Sequence, residues 1–355
     1  MEKILLVIEN HSSSLYFANL SKIFDIRSSV EEIAENTPYV YVIDIERSEI
    51  NLVTEKSSLK KRVIADCRNK IAKILFYEPW EANDIGYNYS KKIKKFAKRY
   101  RLPTTAIAFC DSNFKNDNWY KACNINKFSI MFFEEMCGAN LDLRRIKTYK
   151  KRAGMIQKQH DECEYRYINL NRKIRPHRTS ITREIAEYHD DVSLWSYIED
   201  GKILDIHSTV NDLDIASPLI DKAYLNIVSE SHFGTDKLFL TEKVFKPISI
   251  GQPFIVVGSK GTLKKLQEMG YYTFSEYINE EYDMIEDDYE RTEAIKKELR
   301  RLTSMPFDEF KDLMSKCYKQ SIKNINVLYL RYNQHITYQE LYNEIKNWTN
   351  LKTTT

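Results

Sequence analysis

Three groups of residues have the types and spacing to do chemistry. The first is Thr241-Glu242-Lys243. Threonine is a good helix N-cap, and a helix starting there points free amides and a positive dipole end at whatever lies in front. Lys243, in the first turn, can reach a phosphate as a point charge. Glu242 can accept both hydroxyls of a ribose, as acidic residues do in dinucleotide sites. A nucleoside diphosphate needs this combination. The same triplet also suits an ordinary capped helix with an exposed Glu-Lys pair, so its surroundings must decide. Five of the nine glycines (234, 251, 258, 261 and 270) fall between Tyr224 and Phe274, which concentrates unusual backbone around the triplet.

The second group is Asn171, Arg172, Lys173, Arg175, His177 and Arg178, where a strand expected to end near Leu170 opens into cations. Ligands of α/β sheets lie outside the carboxyl ends of strands. Arginine forks bind phosphate oxygens bidentately. Cations at a helix start are disfavoured by the dipole, so a purely structural role for this cluster needs a specific reason. Arg172, Arg175 and Arg178 are candidate diphosphate ligands, with Asn171 and His177 beside them. The third group is Glu78 and Glu81, in the acidic, aromatic strand end Glu78-Pro79-Trp80-Glu81. A carboxylate at a strand end can act as general base, taking the proton from a substrate hydroxyl. Glu78 and Glu81 are candidates, and Asp111 is the reserve; capping of helices is the competing role. Glu286-Asp287-Asp288 reads as a solvated acidic loop rather than a metal site.

The elements that must position these groups alternate in type. Strands are predicted at Ile4–Ile8, Tyr39–Ile45, Lys73–Tyr77, Thr105–Cys110 and Phe128–Phe133, with helices such as Ser28–Glu35 and Asn88–Tyr100 between them. Near-continuous apolar strands alternating with helices imply parallel sheets covered on both faces. Residues 136–162 are polar and basic without clear periodicity, and read as a linker. The pattern then restarts with strands Tyr165–Leu170, Ala223–Ser229 and Pro253–Val257 and helices Arg178–Tyr188, Thr241–Ile250 and Leu263–Met269. Longer helices are expected at Tyr289–Leu302 and Phe307–Asn326, and Thr337-Tyr338-Gln339-Glu340 reads as a capping box opening a last helix to about Trp348. The expected fold class is α/β, with two Rossmann-like domains at 1–150 and 160–330 and a C-terminal helix, 331–355, packing back on the first.

The chain has 355 residues, enough for two domains. Net charge is +3, too weak to imply nucleic-acid binding by itself, yet Lys91–Arg101 and Arg144–Arg152 are strongly basic. These stretches read as solvated faces or as a track for an anionic acceptor or partner. The six cysteines are scattered, and no C-x-x-C or H-x-x-x-H pair occurs, so neither a disulfide framework nor a metal site is expected. Walker A, G-x-G-x-x-G and G-x-S-x-G motifs are absent, which removes the usual support for kinase, dehydrogenase and hydrolase readings. No apolar run reaches the ~18–20 residues of a membrane span, and the N-terminus reads as a first strand, so a cytoplasmic protein is expected.

The segment Ser229-Glu230-Ser231, Thr241-Glu242-Lys243, Gly251-Gln252-Pro253-Phe254-Ile255-Val256-Val257-Gly258 resembles the nucleotide-binding stretch of the alpha-1,3-fucosyltransferase family. There an acidic strand end precedes (T/S)EK, a helix and G-x-P-(I/V)-V-x-G. The variant around Glu242, Lys243, Phe245, Lys246, Pro247 and Ile248, and the upstream LNR-x-x-R-x-HR run, are similar to phage and bacterial relatives of that family. The resemblance covers about 50 residues and implies a GT-B glycosyltransferase. Glu230, Thr241, Glu242, Lys243 and the arginines would hold a GDP- or UDP-sugar donor, with no metal and no further cofactor. The acceptor would be a glycan or a hydroxylated base of phage DNA. The alternative is a non-catalytic nucleotide-binding or interaction protein on the same scaffold.

Overall fold

The computed structural model describes residues 3–9, 14–45, 58–79, 86–114, 118–139, 141, 163–204, 219–234 and 237–349. The chain divides into two compact units, Met1–Phe132 with Gln334–Thr355, and Phe133–Asn333.

The first unit is built on a six-stranded parallel sheet: β1 (Leu5–Val7), β2 (Asp25–Arg27), β3 (Tyr39–Asp44), β4 (Ala72–Glu78), β5 (Ile107–Asp111) and β6 (Asn126–Ser129), in the order β2-β1-β3-β4-β5-β6. Every residue of β5, and all of β4 except Lys73, is buried, because helices cover both faces. Helices α1 (Ser14–Ile23), α2 (Lys61–Arg68), α3 (Gly86–Tyr100) and α4 (Asn118–Ala122) alternate with the strands. The α3 stripe Ile93, Phe96 and Ala97 faces the sheet, and Phe96 meets Phe76 of β4 edge-on at 5.2 Å.

The last helix, α11 (Ile336–Thr349), belongs to this unit, as expected. Tyr342 packs on Phe24, Trp348 lies edge-on to Phe128, and the Trp348 indole N–H donates to the Thr105 carbonyl at 3.2 Å. The helix does not start from a capping box. His335 takes φ of 54°, its carbonyl accepts from Tyr338 and Gln339, and Thr337 is already inside the first turn and buried.

The second unit opens with α5 (Phe132–Ala139) and holds a four-stranded parallel sheet: β7 (Tyr165–Asn171), β8 (Ser193–Tyr197), β9 (Ala223–Ser229) and β10 (Phe254–Val257), in the order β10-β9-β7-β8. Its helices are α6 (Pro176–Tyr188), α7 (Glu242–Ile250), α8 (Thr262–Glu268), α9 (Asp288–Ser304) and α10 (Phe307–Asn333). Both sheets therefore begin with the order 2-1-3-4, a doubly wound pattern whose direction reverses beside the first strand. The α/β class with two Rossmann-like halves is what the alternation of elements predicts. None of the described helices is long and apolar enough to cross a membrane.

Some local expectations differ. Ser28–Glu35 forms one 3-10 turn, Val30–Glu32, capped by Ser29 and followed by Asn36 at φ 62°, which stops helical propagation. The strand expected at Phe128–Phe133 ends at Ser129, because Phe132 opens α5 with Glu134 and Glu135 in its first turn. That helix enters the stretch read as linker; apart from Leu141, residues 140–162 lie outside the described residues, the basic run 144–152 included.

Candidate functional site

In the second sheet the winding direction reverses between β7 and β9, so the crevice at their carboxyl ends is where this topology places ligands. Two connections arise there: β7 to α6, carrying Asn171 to Arg178, and β9 to α7, carrying Glu230 to Lys243.

Thr241 caps α7 as expected. It is extended, with φ −114°, and its hydroxyl accepts from the Lys243 amide at 3.2 Å. The helix is short and locked: Val244, Phe245, Ile248 and Ile250 are buried, and Gly251 ends it at φ 69°. Its positive φ favours glycine at this turn, and a Cβ there would meet only the flexible tip of Ile325 of α10, at 2.9 Å. The helix start is tied back to the strand by Glu230. Its fully buried carboxylate accepts from the Thr241 hydroxyl at 2.6 Å, the Thr241 amide at 3.1 Å and the Ser231 amide at 3.3 Å. Burial raises the Glu230 pKa, and the Lys243 charge and the Thr241 hydrogen bonds only partly oppose it.

Lys243 Nζ bonds Glu242 at 2.5 Å and lies 3.4 Å from the Thr241 hydroxyl and 3.5 Å from the Ser231 hydroxyl. Burial alone would raise the Glu242 pKa, but the charge and hydrogen bond of Lys243, with Lys246, hold it below its ordinary value. The Lys243 side chain keeps about a third of its surface exposed, so it can turn to an anion arriving at the helix start.

The β7–α6 connection divides by burial. Arg172 and Arg175 are exposed. Arg175 stands at the N-cap position of α6, with Pro176 opening the helix. Arg178 is buried, and its guanidinium donates to the carbonyls of Lys173 (3.2 Å), Ser229 (3.2 Å) and Glu230 (3.0 Å). His177 Nε2 donates to the same Glu230 carbonyl at 2.9 Å, and burial lowers its pKa to about 4, so the ring is neutral at physiological pH. These contacts supply the reason that a cation in the first turn of a helix requires. Asn171 turns inward, donating to Asn169 at 2.7 Å and Thr182 at 3.3 Å. Arg178, His177, Glu230, Thr241, Glu242 and Lys243 thus form one hydrogen-bonded and electrostatic cluster with Arg175 beside it.

Sequence reasoning passed over two residues that hold this cluster. Phe233 stacks on His177 at 5.1 Å, and the buried Arg291 of α9 lies 4.3 Å above the Phe233 ring while donating to its carbonyl. Arg291 looks like any cation of a charged helix in the sequence, and only the tertiary contact reveals it. Asp287, weighed above for a metal, caps α9 through the Glu290 amide at 2.8 Å, and Asp288 pairs with Arg291. Among the described residues no three His, Cys, Asp or Glu side chains gather where they could hold a metal ion.

In the first unit Glu78 ends β4, fully buried and in register with Asp111 of β5. Asp111 pairs with Lys127 at 2.8 Å and accepts from the Asn113 amide at 2.9 Å. Glu81 lies outside the described residues. Glu9, not singled out in the sequence, follows β1 beside the reversal point of this sheet, where it binds Lys60 at 2.9 Å and accepts from the Tyr41 hydroxyl at 3.1 Å.

No protein-family model matches the chain, and no curated protein does. Among solved structures the chain is similar to crystal structures of alpha1,3-fucosyltransferase with GDP-fucose and with GDP, each at 10% identity and a TM-score of 0.41, over 99% of this chain and 91% of the other. A further alpha1,3-fucosyltransferase crystal structure is similar at 13% identity and a TM-score of 0.36, with the same coverage.

Proposed function

We propose that the chain is a glycosyltransferase that moves a sugar from a nucleoside diphosphate donor to a hydroxyl group, with the donor held by the second unit. The observation that carries this reading is the Glu230–Thr241–Lys243 arrangement. A buried carboxylate fixes the N-cap of a helix at the reversal point of a parallel sheet, and a lysine in its first turn can swing to an anion. The free amides of α7, Lys243 and the exposed Arg172 and Arg175 would stabilise the leaving diphosphate, replacing a divalent metal with preorganised positive charge. Arg178 and His177 would act through position, holding the Glu230 backbone. Glu242 would turn from Lys243 to the ribose hydroxyls. A GDP-sugar is the donor favoured by the sequence resemblance, and a UDP-sugar is second. A carboxylate of the first unit, Glu78 or Glu81, would serve as base if the reaction inverts.

The experiment is donor turnover by the purified chain in excess EDTA, read as release of GDP or UDP from the respective sugar nucleotides with and without glycan acceptors. Release in EDTA supports the reading. Binding without release across the panel supports a non-catalytic nucleotide-binding protein. Loss of release in EDTA with recovery on manganese or magnesium contradicts the metal-free mechanism.

The acceptor favoured is a glycan, since a net charge of +3 is modest for an enzyme of duplex DNA. The DNA alternative rests on α3, where Lys94, Lys95 and Lys98 are exposed and Arg101 follows, also exposed. If DNA is the acceptor, log K falls against log salt by about 0.9 per phosphate contact, and charge reversal at these four positions reduces that slope. With a glycan acceptor the same variant keeps its activity at all salt concentrations.

A further inference from the structure

A cavity of about 540 Å³, in the size range of small-molecule sites, lies in the second unit between α6 and α9 and reaches Arg175 at the start of α6. Ser180, Arg183, Glu184, Glu187 and Tyr188 of α6 line it, and α9 contributes Lys296 and Arg300, four residues apart, so its cations outnumber its two carboxylates. Its walls are braced from below. Glu184, 3% exposed, takes Arg300 bidentately at 2.6 and 2.7 Å. The Arg300 guanidinium lies 4.8 Å over the Tyr188 ring, yet Tyr188 remains 51% exposed. Arg300, fixed by a buried carboxylate, backs one face of the Tyr188 ring, and about half of that side chain stays open to solvent at the cavity wall. Ser180 and Arg183 make no side-chain bond to the protein among the described residues, which leaves a hydroxyl and a planar fork available.

An exposed aromatic plate beside fixed polar groups suits the C–H face and hydroxyls of a sugar ring. A free arginine suits a carboxylate or a sulfate or phosphate ester. We propose that this cavity is a secondary binding site for an anionic oligosaccharide, with the Tyr188 ring as stacking surface and Arg183 as ligand of the acidic group. The choice of a glycan over another anion rests on the glycosyltransferase reading; the cavity itself does not.

The test is calorimetric titration of the full chain with a tetragalacturonate, a sulfated tetrasaccharide, a neutral tetrasaccharide and tripolyphosphate. The acidic saccharides should bind, the neutral one at least about tenfold more weakly, as expected for loss of one charge-assisted contact. Binding of carboxylated but not sulfated sugar, or the reverse, identifies the acidic group. Tyr188→Ala and Arg183→Ala should each weaken acidic-saccharide binding about tenfold while leaving the melting temperature and GDP affinity unchanged. Equal affinity for the neutral saccharide overturns the role of charge. Tripolyphosphate binding that is as tight and insensitive to Tyr188→Ala overturns the glycan. Absence of saccharide binding at millimolar concentration overturns the site. GDP titration of the same preparation is a separate readout, so failure of the donor reading and failure of this site are distinguishable.

Discussion

The Thr241 hydroxyl donates to the Glu230 carboxylate at 2.6 Å while accepting from the Lys243 amide at 3.2 Å, so one side chain joins the end of β9 to the start of α7. Both elements are buried, and the joint fixes the direction in which the helix amides point. Replacing Thr241 by valine keeps the shape but removes the cap and one partner of a buried carboxylate. We expect a loss of about 2 kcal/mol in urea unfolding, the sum of a lost cap and a lost charge-assisted bond. Thr241→Ser should stay within about 0.5 kcal/mol of wild type. A valine variant as stable as wild type would mean that the joint carries no energy.

Arg175 and Arg178 are three residues apart, and their surroundings assign them different tasks. Arg178→Ala removes the guanidinium donor from the Ser229 and Lys173 carbonyls and one of the two donors of the Glu230 carbonyl, and should cost about 2 kcal/mol. Arg175→Ala changes an exposed side chain and should shift stability by less than about 0.5 kcal/mol while weakening nucleotide binding. Thermal unfolding and GDP titration of the two variants separate the tasks. Equal destabilisation by both substitutions would contradict the division.

Glu280 gives the fold a measurable pH dependence. Burial pushes its carboxyl up to about 7, although Thr273 and the Phe274 amide, the latter at 2.6 Å, hydrogen-bond to it. Between about pH 4.5 and 7 the folded chain keeps this proton and the unfolded chain does not. Stability therefore falls as pH rises through that window, by up to about 3 kcal/mol, and levels off above it. Glu280→Gln should lack this component. His177, held at about 4, acts in the opposite direction below pH 6.5, so the comparison must be between variant and wild type at each pH. A constant difference across pH 4.5 to 7 would show that Glu280 titrates normally.

The α/β class and the α7 cap were legible because each depends on local pattern. Apolar strands such as Ile107–Asp111 announce burial on both faces, and Thr241 before Glu242-Lys243 announces a helix start. The strand end at Glu230 was legible through its neighbours. Tertiary choices were not. Nothing local distinguishes Arg178, buried against carbonyls, from Arg175, left in solvent, and nothing marks Arg291 as the partner of Phe233. Short elements also escaped: β2 is three residues long, and β8 is an edge strand whose pattern Ser-Leu-Trp-Ser-Tyr carries little periodicity.

The donor site at the start of α7 is tested most directly by one titration, GDP into the wild-type chain and into Lys243→Ala in excess EDTA, followed by calorimetry. GDP should bind wild type without metal and bind Lys243→Ala about tenfold more weakly at an unchanged melting temperature, the effect of one charge-assisted contact. GDP and UDP binding that is absent from wild type, or GDP binding equally tight in the variant, would contradict the assignment of the donor site to the start of α7.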